Sequence, residues 1–104
     1  MCKLRKELNR LSYELMDDIH NIVENPAIKS EKRAQRLIVD TWHAAFNRAI
    51  ANINDDYEKL VVYMFNNMIT YQHVRLSMDD MISMISAVLS IMASVKDGDF
   101  NEKT

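Results

Sequence analysis

Residues 3–24 read KLRKELNRLSYELMDDIHNIVE, and this stretch decides the fold class. Its apolar residues recur at steps of three and four, which places them on one stripe of an α-helix. The stripe consists of Leu4, Leu8, Leu11, Leu15, Ile19 and Ile22. Asn25 and Pro26 follow, and the residue before a proline avoids the helical region. The sequence therefore begins with a predicted amphipathic helix over residues 3–24.

Three further helices are predicted, over residues 30–53, 55–70 and 78–95. Ser30 and Ser77 are favourable N-caps for the second and fourth helices, and Asn54 is the predicted cap of the third. The apolar face of the second helix is broad and consists of Ala34, Leu37, Ile38, Trp42, Ala45, Phe46, Ala49, Ile50 and Ile53. The predicted buried stripe of the third helix consists of Tyr57, Leu60, Val61, Met64, Phe65 and Met68. No Gly or Pro separates these two helices, so one long kinked helix over residues 30–70 is the alternative.

The composition agrees with a helical domain. The chain has 104 residues, which fits one domain over residues 1–104, and 48% of them are hydrophobic. It contains only one Gly and one Pro, too few for the tight turns of a β-sandwich or barrel. Helices joined by short connectors tend to pack antiparallel, so we predict an all-α, antiparallel four-helix bundle with a polar tail over residues 97–104.

The fourth helix is unusual because it has no charged residue between Met81 and Val95. Half of its circumference is apolar, and the other half consists of Ser83, Ser86, Ala87, Ser90, Ala93 and Ser94. A surface helix normally has a charged outer face, so this helix is predicted to pack on both sides. It is then either the central helix of the bundle or a docking surface. As a candidate for self-association we single out the small residues Ser83, Ala87, Ser90 and Ser94.

No catalytic or metal-binding pattern is present. Asp17 pairs with His20 and Asp40 with His43 at helical spacing, but the helix phases turn these pairs away from the apolar faces. Metal-binding bundles use the longer Glu, aimed inward, for such pairs. Cys2 is the only cysteine, and one Gly cannot form a phosphate-binding loop. We therefore expect no enzyme, no metal site and no cofactor.

Charge is distributed unevenly along the chain. Residues 1–36 carry 8 basic and 6 acidic side chains, whereas residues 37–104 carry 5 basic and 9 acidic ones. The net charge of the whole chain is −2. This balance argues against a nucleic-acid partner.

Two interpretations are open for the basic residues: a patch near one end of the bundle, or a simple solvated face. The solvated face is favoured because Glu7, Glu14 and Glu31 are interspersed among them. The basic residues are Lys3, Arg5, Lys6 and Arg10, with Lys29, Lys32, Arg33 and Arg36.

The longest uncharged run, Met81 to Val95, spans about 22 Å as a helix, too short to cross a bilayer. The N-terminus has no apolar signal region. We therefore expect a cytoplasmic protein without a transmembrane segment.

Two segments carry a family resemblance. One is Glu14-Leu15-Met16-Asp17-Asp18-Ile19, and the other runs from Met64-Phe65 through Ile69-Thr70-Tyr71 to Val74-Arg75-Leu76-Ser77. In length, layout and these segments the chain resembles the immunity proteins of enterocin A–type (pediocin-like) bacteriocins. The resemblance implies a non-catalytic cytoplasmic protein that protects the producing cell by engaging a peptide–receptor complex at a sugar permease.

We predict that a protein partner contacts the connector before the fourth helix and that helix itself. The predicted contact residues are His73, Arg75, Met78, Met81 and Met84. The alternative function is a small homodimeric adaptor or inhibitor, phage- or plasmid-encoded, that occludes another protein through its Met-rich last helix.

Overall fold

The computed structural model describes residues 3–70 and 76–95, and these residues form four α-helices. The helices are α1 (Lys3–Glu24), α2 (Glu31–Ala51), α3 (Asp56–Thr70) and α4 (Met78–Ala93). They pack on one another as a bundle, so the predicted all-α four-helix fold is confirmed. The predicted helix ends agree with the observed ends to within two residues. The predicted tail and most of the predicted connector, residues 71–75, lie outside the described residues.

α2 and α3 are separate helices, so the alternative of one long kinked helix is wrong. α2 ends at Ala51 and is capped by Asn52, whose backbone N–H donates to the carbonyls of Ala49 and Ile50. α3 begins after Asp55, whose carboxylate accepts the N–H of Glu58 at 2.9 Å. The N-cap of α3 is therefore Asp55, one residue after the predicted Asn54. The predicted caps of α2 and α4 are confirmed, since Ser30 accepts from Arg33 and Ser77 from Asp80, each at 3.2 Å.

All four helices contribute to the core, and α1 and α2 show how their stripes enter it. The predicted α1 stripe is buried from Leu4 to Ile19. Trp42 of α2 is fully buried, with its ring centroid 4.9 Å from that of Phe46. Its indole N–H donates to the backbone carbonyl of Asn66 in α3 at 3.1 Å, which satisfies a polar group that would otherwise be buried without a partner. This bond holds the middle of α2 against the far half of α3.

Two polar side chains of α1 fix the position of α4. Asn9 donates from its side-chain amide to the carbonyls of Met92 and Ala93, at 3.0 and 3.3 Å. The hydroxyl of Ser12, fully buried, donates to the carbonyl of Leu89 at 2.9 Å. Residue numbers rise along α1 as they fall along α4, so the two helices are antiparallel.

The predicted buried stripe of α3 is only partly right. Val61 and Phe65 are buried, whereas the other four members, Tyr57, Leu60, Met64 and Met68, are exposed. The helix is rotated so that Val62 and Ile69 enter the core instead. α3 carries two overlapping apolar stripes, and the stripe with the branched residues Val61, Val62 and Ile69 faces the bundle.

α4 is a surface helix, so its predicted place as the central helix of the bundle is wrong. Met81, Ile85, Val88, Leu89 and Met92 face the core. The serine half faces away from the core, and Ser83, Ser86, Ala87, Ser90 and Ser94 are all exposed. This burial agrees with an amphipathic helix whose outer face is polar through small hydroxyl side chains in place of charges.

The basic residues do not gather at one end of the bundle, so the alternative of a single basic patch is not formed. α1 and α2 pack on each other and are joined only by residues 25–30, so they are antiparallel and the start of α1 lies toward the end of α2. Arg10 is therefore on the opposite end of the bundle from Arg33, in the first turn of α2. The antiparallel packing divides the basic residues into two groups.

Candidate docking surface

α3 exposes an unusual amount of apolar surface. Tyr57, Leu60, Met64 and Met68 recur at steps of three and four, so they form one stripe on the outside of α3. Their exposed fractions are 54%, 60%, 51% and 41%. The stripe extends for three helical turns, about 16 Å. Contiguous exposed apolar surface on a folded chain commonly marks a place where another molecule binds.

The bonds of α1 establish on which side of α3 this stripe lies. Asn9 and Ser12, on one side of the α1 stripe, bond to α4, whereas Glu14, on the other side, bonds to Arg48 of α2. Together with packing of α3 on α2, this fixes the order of helices around the bundle and its handedness. At 100° per residue, the α3 stripe then lies on the outer flank of α3 that faces α4.

α4 turns a similar flank toward α3. With the same helix phases, Met84 and Ile91 lie on the α4 flank that faces α3. Ile91 is 52% exposed and Met84 is half-buried. α3 and α4 pack on each other much more sparsely than the other neighbouring helices, which indicates a shallow groove between their outer flanks. We call this surface the α3–α4 face; its residues are Tyr57, Leu60, Met64, Met68, Met84, Ala87 and Ile91.

The centre of the α3–α4 face has no formal charge. No Asp, Glu, Lys or Arg occurs from Leu60 to Thr70 or from Met81 to Val95. The acidic residues of α3 and α4 lie in their first turns, with Asp56 and Glu58 in α3 and Asp79 and Asp80 in α4. Because the two helices run in opposite directions, the face has acidic residues at both ends and none in the middle.

The surface of α1 and α2 differs because its exposed apolar side chains, Tyr13, Met16 and Val23, alternate with charged residues. Arg10 donates to Glu7 at 2.7 Å and to Glu14 at 2.8 Å, and Arg48 of α2 donates to the second oxygen of Glu14. The hydrogen bond to Glu7, more than any other contact, raises the pKa of Arg10 above its usual value. What distinguishes the α3–α4 face from this surface is therefore the absence of charge at its centre and not apolar exposure alone.

The predicted partner-contact residues differ in how far the structure exposes them. Met81 is fully buried, so its predicted role as a surface contact is wrong for the folded chain. Met78 and Met84 are half-buried at the edge of the core, and partner contact by them stays a prediction. His73 and Arg75 lie outside the described residues.

The predicted self-association residues are accessible. Ser83, Ala87, Ser90 and Ser94 are all exposed on the outer side of α4. Ser94 also caps the end of α4, and its hydroxyl donates to the carbonyl of Ile91 at 2.9 Å. Self-association through these residues stays a prediction.

The prediction that Tyr57, Leu60, Met64 and Met68 belong to the core is wrong, because a helical stripe does not by itself show which face is buried. The available signal was the absence of charge from Leu60 to Thr70, which parallels the uncharged run of α4. An outer face without charge on two successive helices predicts a shared apolar surface.

In the described residues, no three His, Cys, Asp or Glu side chains come close enough together to hold a metal ion. Across residues 3–70 and 76–95, no helix is both long and apolar enough to cross a bilayer. Comparison of the chain with protein-family models, curated proteins and solved structures finds no match.

Proposed function

We propose that this chain is a non-catalytic cytoplasmic binding protein that docks on another protein through the α3–α4 face. The observation that carries the proposal is the exposed stripe on α3. Leu60 and Met64 in this stripe are 60% and 51% exposed, and α3 has no charged residue from Leu60 to its end at Thr70. Methionine side chains are flexible and polarizable, so they adapt to a partner surface. The four-helix scaffold holds this surface in place.

The biological role we propose is bacteriocin immunity of the pediocin-like type. The support is the resemblance in residues 14–19 and 64–77 together with the confirmed four-helix fold. In this role the protein engages a complex of the peptide with its membrane receptor from the cytoplasmic side. The second of those segments contains part of the exposed α3 stripe, Met64 and Met68, so the resemblance and the exposed surface point to the same region.

The test is survival of a peptide-sensitive strain that expresses the chain. We expect protection against one member of a panel of pediocin-like peptides, and we expect the double variant Leu60→Gln/Met64→Gln to lose it. Gln matches Leu and Met in helix propensity, so the substitution removes apolar surface with little effect on the helix. The matched control is Tyr13→Gln/Met16→Gln, which changes two α1 side chains that are 69% and 49% exposed.

Two results would contradict the proposal. Absence of protection across the whole panel removes the immunity role. Equal loss of protection in the α1 control removes the α3–α4 face as the docking surface, because the control leaves that face intact.

The second candidate function is a homodimeric adaptor or inhibitor that acts through its last helix. The observation in its favour is the exposed, uncharged strip of Ser83, Ala87, Ser90 and Ser94, since small residues allow two helices to approach closely. Two of the methionines of α4, Met81 and Met92, are fully buried, so they are not available for such contacts. Light scattering separates the two functions: a stable dimer that Ser90→Glu converts to a monomer supports the adaptor.

A further inference from the structure

The structure of the α3–α4 face favours one backbone conformation for a segment that binds there. The face consists of two α-helices, whose internal backbone N–H and C=O groups are already hydrogen-bonded within each helix. An occupant that buries its own backbone against apolar side chains must satisfy its backbone groups internally. A helix does this, whereas an extended segment needs a free sheet edge to pair with. Binding in the groove therefore favours the helix-in-groove mode of recognition.

The length of the face agrees with a short helix. The α3 stripe from Tyr57 to Met68 covers about 16 Å, which matches three turns of a partner helix. Apolar anchors at steps of three and four on that helix would lie between Met64 of α3 and Ile91 of α4. Every large side chain that such anchors touch is apolar, and the small Ala87 leaves room between them.

The charge distribution of the chain indicates the sign of the net charge that a binding partner should carry. Residues 1–51 carry 9 basic and 7 acidic side chains, for a net charge of +2. Residues 52–104 carry 4 basic and 8 acidic side chains, for a net charge of −4. The part of the chain that contributes α3 and α4 is therefore acidic, and Asp56 and Asp80 lie toward opposite ends of the face.

This charge distribution argues against a second copy as the occupant. A symmetric dimer through the α3–α4 face would bring two acidic halves together, and like charges across an interface oppose association. The same charge repels an anionic membrane surface. A helix with basic residues beside its apolar anchors complements both the apolar centre and the acidic ends.

We infer that the α3–α4 face binds a cationic amphipathic helix of a partner protein. The inference rests on the proposed docking function and names the chemistry of the partner. The apolar anchors of that helix lie in the groove between α3 and α4, and its basic side chains point toward the acidic residues in the first turns of the two helices. Charge speeds and orients the encounter, while apolar burial supplies the affinity.

The test uses two synthetic labelled peptides, each long enough for four helical turns. Both have leucines at steps of three and four; one has lysines at its polar positions and the other has glutamates. Fluorescence anisotropy with the full chain measures binding. We expect the lysine peptide to bind at least about tenfold more tightly than the glutamate peptide, and to weaken as salt rises.

The variants test where the peptide binds. We expect Leu60→Gln/Met64→Gln to weaken binding of the lysine peptide roughly 30-fold, because two half-exposed apolar side chains no longer become buried. Tyr13→Gln/Met16→Gln should leave binding within about twofold of the parent, since it removes similar surface from α1.

Several results would overturn the inference. Equal affinity for the lysine and glutamate peptides would show that the occupant is not selected by its charge. Equal loss of peptide affinity in both double variants would show that the peptide does not bind at the α3–α4 face. A dimer that Leu60→Gln/Met64→Gln dissociates would identify a second copy as the occupant. Absence of peptide binding, with cell protection still dependent on Leu60 and Met64, would show that the proposed function stands and the cationic helix is wrong. Absence of both would remove the proposed function as well.

Discussion

Two neighbouring residues of α3 provide the sharpest test of its rotation, since Met64 is 51% exposed and Phe65 is 4% exposed. Replacing each by alanine removes a large apolar side chain from the same turn of the same helix. The sequence pattern predicts both side chains in the core, whereas the structure buries only Phe65. The pair therefore separates the two rotations of α3 that the sequence allows.

The expected losses of stability differ several-fold. Truncation of a buried Phe to Ala destabilises by about 3–5 kcal/mol, because transfer free energy and cavity terms add. Phe65→Ala should thus lower the melting temperature by more than about 12 °C in a chain of this size. For Met64→Ala, about half of the side chain is already in water, so the lost burial is below about 1 kcal/mol. The better helix propensity of alanine offsets a few tenths of that.

Urea unfolding followed by tryptophan fluorescence is the assay. Trp42 is the only tryptophan and is fully buried, so its emission reports on the core. If Phe65→Ala does not fold, Val61→Ala serves instead, with an expected loss of about 2 kcal/mol. Equal losses for Met64→Ala and Phe65→Ala would refute the observed rotation of α3 and, with it, the exposed stripe.

Three further perturbations address α4, its attachment and the surface ion pairs. Ser90→Glu should change the free energy of unfolding by no more than about 0.5 kcal/mol, because Ser90 is exposed; urea unfolding that shows a loss of several kcal/mol would mean that this side is packed. Ser12→Ala should destabilise by about 1 kcal/mol, since the buried hydroxyl no longer donates to the carbonyl of Leu89; an unchanged melting temperature would contradict that contribution. Glu14→Gln should lower stability by less than about 1 kcal/mol and lose most of that effect in high salt, because its bonds to Arg10 and Arg48 lie at the surface; a larger, salt-independent loss would disagree.

The sequence predicts α1 and α2 well because each has one dominant apolar face. In α1 the stripe from Leu4 to Ile19 stands opposite charged residues, so only one rotation buries it. In α2 the large residues Trp42 and Phe46 leave little choice of orientation. The fold class follows from these two helices and the short connections between elements.

The rotation of α3 cannot be read from the sequence because two apolar stripes compete. Met64 and Phe65 belong to different stripes about 100° apart, and both stripes have the helical period. Tertiary packing decides between them. The bond from Trp42 to the carbonyl of Asn66 and the burial of Val62 belong to the rotation that the bundle adopts.

The exposed side of α4 also escapes prediction, for a different reason. Absence of charge on a helix predicts packing on both sides. Ser83, Ala87 and Ser90 have short side chains, so leaving them in water exposes little apolar surface and loses little free energy. A charge-free strip of small residues is therefore compatible with solvent exposure.

Methionine methyl resonances offer the most direct test of the exposed α3–α4 face. A soluble paramagnetic agent broadens the methyl signals that solvent reaches, in a sample dilute enough to be monomeric. The account predicts strong broadening for Met64 and Met68, comparable to that of the exposed Met16 on α1, and little for the fully buried Met81 and Met92. Protection of Met64 and Met68 to the level of Met81 would contradict it.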